Sequence, residues 1–95
     1  MATLDVNTLN AMAVDTAVTT ECQFTMYVRG LTGTHLHHHV MFEVSPDNGV
    51  NWCEVNGSVL GEGVMTISVS CTRIRAKVTE VEGAASTVDV TIIGK

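Results

Sequence analysis

The stretch THLHHHVMFEVSPDNGVNWCEV, Thr34–Val55, decides how this chain is read. All four histidines of the protein fall within its first six residues, which raises the question of a metal site. The residues after them point to a sheet. On a period of two, Phe42 and Val44 share the inward face of an extended segment, while Glu43 faces outward. Ser45-Pro46-Asp47-Asn48-Gly49 then brings the only proline and an Asp-Asn-Gly turn signal. Trp52 opens a return strand, so the stretch reads as strand, turn and strand.

The same period extends in both directions. In CQFTMYV, Cys22, Phe24, Met26 and Val28 alternate with Gln23, Thr25 and Tyr27. VMTISVS, Val64–Ser70, sets apolar residues among Thr and Ser. RIRAKVTEV turns Ile74, Ala76 and Val78 inward and Arg73, Arg75, Lys77 and Thr79 outward. STVDVTII turns Val88, Val90 and Ile92 inward and Thr87, Asp89 and Thr91 outward. Turn signals near Gly30 and Gly33, at Asn56–Ser58 and at Glu82–Ser86 punctuate these runs, mostly about 8–14 residues apart, the rhythm of a sandwich or barrel. About seven strands predict one all-β domain over residues 1–95, an immunoglobulin-like antiparallel β-sandwich. Asn7–Val14 fits either a single helical turn or an extended first strand. Residues 1–14 are a candidate N-terminal arm, free to order on a neighbour.

Composition narrows the function. Ten acidic residues against five basic ones give a net charge of −5, which argues against a general nucleic-acid binder. Three of those bases, Arg73, Arg75 and Lys77, share one strand face. They form either a solvated stripe paired with Glu80, Glu82 or other acids, or a docking stripe for an acidic partner. No apolar run is long enough to cross a bilayer, so no membrane partner is expected. The start MATLDVNTLNAMAVDTAVTT has no basic region followed by an apolar one, and synthesis in a reducing cytoplasm is expected. Three cysteines, Cys22, Cys53 and Cys71, do not read as a disulfide framework. Mostly free thiols are expected, with one disulfide left open, and Cys22 is expected to be buried beside Phe24 and Met26.

Two segments carry a family resemblance. FEVSPDNGVNWCEV, Phe42–Val55, resembles the F-x-x-S-x-D-G-x-x-W-x-x-V hairpin of small β-sandwich structural proteins of tailed bacteriophages. RIRAKVTEVEGAASTVDVTIIGK, Arg73–Lys95, resembles the ending of the same proteins. The resemblance spans Phe42–Lys95 and departs from the pattern at the longer Pro46–Gly49 turn and at Cys53. It implies a final hairpin whose last strand closes a sheet, and a Trp52 that covers the core. It also implies a virion component assembled in the host cytoplasm: a head decoration or cement subunit, or a small neck or tail subunit. The partners would be the major capsid protein or other virion subunits, in a homo-oligomer. The alternative is an adhesion-type binding module that recognises a sugar or a partner protein.

Three candidate sites follow. His35, His37 and His39 share one strand face, and His38 shares the other with Leu36, Val40 and Phe42. Same-face neighbours stand about 6.6–7 Å apart along a strand, and zinc takes imidazole nitrogens at roughly 2.0–2.1 Å. Two such histidines can bracket one divalent metal, the one cofactor to consider, if further ligands come from a neighbouring strand or from symmetry copies. A polar face without metal and a pH-sensitive contact stay open. Trp52 is either a core residue under the turn or an exposed ring beside Asn48, Asn51 and Asn56 that stacks on a sugar. No nucleophile elbow, phosphate loop or CxxC motif is present, so a non-enzymatic protein is expected.

Overall fold

Period-two alternation in the long apolar segments produces two antiparallel sheets packed face to face. The computed structural model describes residues 2–5, 12–13, 18–32, 37–82 and 87–95, and side chains over 12, 18–32, 38–79 and 87–95. Its described strands are β1 (Ala2–Asp5), β2 (Met12–Ala13), β3 (Gln23–Thr32), β4 (His37–Ser45), β5 (Cys53–Glu54), β6 (Val59–Leu60), β7 (Gly63–Ser68), β8 (Arg73–Glu82) and β9 (Thr87–Gly94). One sheet has the order β1-β9-β3-β7 and the other β2-β8-β4-β5, with β6 also paired to β4. There are more strands than the alternation suggests because β2, β5 and β6 are two residues long, too short to show a period.

The core lies between the sheets. Phe24, Met26, Val28, Val88 and Val90 come from one inner face, and Val40, Phe42, Val44, Ile74, Ala76 and Val78 from the other, with Val59 beside them. Each fully buried side chain of this size contributes about 1.5–3 kcal/mol relative to exposure. All of the inward assignments in β3, β4 and β8 hold, as do Val88 and Val90; Ile92 is only partly buried against this cluster.

Several expectations change. The last two strands are not a hairpin: β8 pairs with β4 and β2, whereas β9 pairs with β3 and β1. The chain therefore changes sheets between them. The described parts of the N-terminal region do not form an arm reaching outward. β1 adds to β9 in one sheet and β2 adds to β8 in the other, so both extend the chain's own sheets. The rest of residues 1–14 lies outside the described residues. Cys22 is exposed, because it precedes β3 at the open end of the sandwich, and all three cysteines are free thiols. Burial raises the Cys71 thiol above its ordinary pKa.

Strand β4 is covered on both faces. Val40, Phe42 and Val44 fill the inner side, while Met41, Glu43 and Ser45 are also buried on the outer side. Over that outer side, the segment between β4 and β6 sets Trp52 on Arg75 and Glu54 on Lys77.

Candidate functional site

The turn after β4 is built on Ser45. Its hydroxyl accepts hydrogen bonds from the backbone N–H of Gly49 at 2.8 Å and of Asp47 at 3.3 Å, and donates to the Asp47 carboxylate at 2.8 Å. That carboxylate also accepts from the Asn51 backbone N–H at 2.8 Å and from its side-chain amide at 2.7 Å. The Asn51 backbone first, then its side chain and Ser45, hold the Asp47 carboxyl below its ordinary pKa. Asn48 at φ 60° and Gly49 at φ 91° turn the chain back through the left-handed region. The return strand pairs Glu54 with Glu43 and Cys53 with Val44, the expected hairpin.

Trp52 lands on the outer face of the β4–β8 sheet, not over the core. Its indole N–H donates to the Gly49 carbonyl at 3.0 Å, and the Arg75 guanidinium lies 3.8 Å from its ring centroid. An Arg over an indole is worth about 0.5–1 kcal/mol when exposed and more when desolvated. One face of the ring is thus occupied from within the chain.

The Arg73–Lys77 stripe meets its acids there. Arg75 Nε donates to Glu43 Oε1 at 2.7 Å, and its Nη2 reaches the same oxygen. Lys77 Nζ lies 3.3 Å from Glu43 Oε2 and 3.2 Å from Glu54 Oε2. The hydrogen bond to Glu54, with a second to Glu43, raises the Lys77 pKa. Arg73 packs its Cδ 3.5 Å from where a Cβ on Gly49 would stand. Arg75 and Lys77 are committed to the intramolecular acids Glu43 and Glu54. Glu43, expected outward, has the right phase but is only 4% exposed.

The histidine strand divides as its period predicts. His38 is fully buried on the inner side, and its Nε2 donates to the Gly61 carbonyl at 3.1 Å. His39 therefore stands on the opposite, outer face. His39 Nδ1 is 2.8 Å from Ser58 Oγ. The register sets His37 across from Glu82 and His39 across from Glu80. His35 lies outside the described residues. Among the described side chains, no three His, Cys, Asp or Glu converge as a metal site; His37, Glu80 and Glu82 are placed by backbone alone. Ser58 is a partner that sequence reasoning missed, because it lies far from His39 in the chain.

The outer face of the other sheet is different. Tyr27 stands across from Val64 on β7 and Thr91 on β9, with Ile93 one step along. Tyr27, Val64 and Ile93 are all exposed. Thr25 and Thr66 bond side chain to side chain at 3.0 Å, and Thr32 and Thr87 at 2.9 Å. A shallow groove runs beside Tyr27, Arg29, Thr91 and Ile93. No family model, curated protein or solved structure matches the chain.

Proposed function

We propose that the chain is a non-enzymatic structural subunit, of the kind that decorates and cements the heads of tailed bacteriophages. Its partners would be copies of itself and the major capsid protein or other virion subunits. The observation that carries this reading is strand β7. Among the described residues it is a sheet edge six residues long, Gly63–Ser68, with no charge and no proline. Soluble proteins usually blunt such edges with Lys, Pro or bulges, since an open row of backbone groups pairs readily with another chain. The exposed Tyr27, Val64 and Ile93 continue the apolar surface from that edge across the sheet.

A second copy fits the edge by two-fold symmetry. Antiparallel pairing with Thr66 opposite Thr66 sets Val64 opposite Ser68 and Met65 opposite Ile67, which keeps each face matched to its own kind. The residues that carry the resemblance in this hairpin, Ser45, Asp47, Gly49 and Trp52, are those whose hydrogen bonds build its turn. The immunoglobulin-like reading belongs here as well. What supports it is that β3 pairs with β7 in one sheet and β4 with β8 in the other, as B–E and C–F do in such domains. The last strand departs from that pattern by pairing with β3.

The saccharide-binding alternative loses support at Trp52, whose ring is stacked under Arg75. Light-scattering mass after size exclusion, at rising protein concentration, is the test. A dimer or larger closed assembly is expected, and Thr66→Lys should reduce it to monomer. A protein that is monomeric at every concentration would overturn self-assembly and favour the binding module.

A further inference from the structure

Asn-Gly occurs twice in the chain, at Asn48-Gly49 and at Asn56-Gly57. In this dipeptide the backbone nitrogen of the second residue can attack the side-chain amide carbon of the first, because glycine has no Cβ to hinder the approach. The two copies are held very differently. Gly49 N–H donates to Ser45 Oγ at 2.8 Å, Asn48 N–H donates to Thr72 Oγ1 at 2.8 Å, and the Gly49 carbonyl accepts from the Trp52 indole at 3.0 Å. The attacking nitrogen of that pair is already committed, and the peptides on either side of its own are pinned. Turning the Asn48–Gly49 peptide toward the Asn48 side chain would break the bond to Ser45. Asn56-Gly57 lies in the segment between β5 and β6, and both residues are exposed. Among the described residues, none accepts from the Gly57 N–H and none bonds the Asn56 side-chain amide. Gly57 sits at φ 104°, and a Cβ on it would stand 2.9 Å from Met65 Cε, so the position needs glycine.

We propose that Asn56 is a site of spontaneous deamidation, and that the turn around Asn48 protects it from the same reaction. The Gly57 amide gives its proton to a base in solution, and its nitrogen attacks Asn56 Cγ. The new C–N bond closes a succinimide ring as the side-chain nitrogen takes up a proton and leaves as ammonia. Water then adds to one of the two ring carbonyls and opens the ring. Breaking the bond from Gly57 nitrogen to Cγ gives aspartate. Breaking its bond to the Asn56 main-chain carbonyl carbon gives isoaspartate. Either way one water is consumed and one ammonia released, with no oxidant or reductant. The chain gains a negative charge, and isoaspartate also lengthens the backbone by one carbon. That change falls just ahead of β6, where Val59 is buried opposite Val40 and Ser58 Oγ stands 2.8 Å from His39 Nδ1.

Ageing the folded protein in mildly alkaline buffer, followed by proteolysis and mass spectrometry of the fragments, tests this. The fragment holding Asn56 is expected to gain the mass of an NH exchanged for O, as a mixture of aspartate and isoaspartate. Asn48 should react more slowly by about tenfold, the ratio that one retained hydrogen bond at the upper end of the ordinary range represents. In guanidinium chloride, where both segments are unfolded, the two rates should converge. Asn56→Gln should abolish the fast reaction and leave the rate at Asn48 unchanged. Ser45→Ala frees the Gly49 N–H and should bring Asn48 toward the rate of Asn56. Melting that variant shows whether its fold survives, and the comparison in denaturant decides the matter if it does not. Conversion of Asn48 as fast as Asn56 in the folded protein would overturn the proposal. So would an Asn56 that stays intact in the folded protein over a time in which the unfolded chain is converted.

Discussion

Glu43 is the residue on which the turn face depends. It is a carboxylate on a central strand, held between Arg75 and Lys77, whose side chains are each 16% exposed. Removing it leaves two cations facing a covered surface. Glu43→Gln should therefore cost about 3 kcal/mol, the low end for breaking a buried pair, which urea unfolding would measure. The corresponding fall in Tm is roughly 4–8 °C per kcal/mol for a domain of this size. Lys77 has a raised folded pKa, so its contribution is complete below the ordinary lysine value. It is lost as pH rises through the folded one. Lys77→Met should accordingly flatten the alkaline limb of the stability–pH curve. Much of this could be read in advance at the level of phase. Period two correctly faced Glu43, Arg75 and Lys77 to the same side. Burial could not be read, because the cover over them comes from Trp52 and the segment that follows the turn, a contact that alternation does not encode.

Among the elements, the β4–β5 turn is the one whose chemistry was most visible in the chain. Ser, Asp, Asn and Gly at positions 45, 47, 48 and 49 each take the part their side chains favour. Asp47, with its pKa lowered by Asn51 and Ser45, supports the turn fully above the ordinary carboxylate value of about 4. That support is lost as pH falls through the lower folded value. Asp47→Asn should remove this acid-side dependence, and stability measured from pH 7 down to pH 2 would reveal it. Gly49→Ala should cost about 1–2 kcal/mol through backbone strain at φ 91°, since a Cβ there meets only ordinary contacts with Arg73 and Trp52. The histidine strand was half readable. Its two faces follow from the period, but the glutamates opposite them depend on the pairing of β4 with β8, forty residues away in the chain. Strand β7 shows the reverse. Its alternation was plain, yet nothing local could reveal that it would end at the edge of a sheet.

For the whole molecule, an all-β sandwich followed from the rhythm of strands and turns, while its wiring did not. Arg73–Lys95 looks like a hairpin because two good strands flank a Gly-containing turn. The strands join different sheets because each supplies one inner face of the core, Val88 and Val90 from β9 and Ile74, Ala76 and Val78 from β8. The pairings of the N-terminal region were not legible either, since pairs as short as β2 carry no periodic signal. Because β1 covers the free side of β9 and β2 that of β8, deleting residues 1–13 would expose an edge on each sheet. The expected outcome is a lower Tm together with concentration-dependent aggregation, followed by light scattering. The pairing of β1 with β9 also determines how the protein responds to force. Ala2 lies opposite Val90 and Asp5 opposite Thr87, so the beginning of β1 and the end of β9 sit at the same end of their ladder. Tension applied through the two termini would peel these strands apart one hydrogen bond at a time, instead of shearing all of them together. Load applied through its ends would meet a compliant molecule. Load pressed across its sheets would meet the packed core.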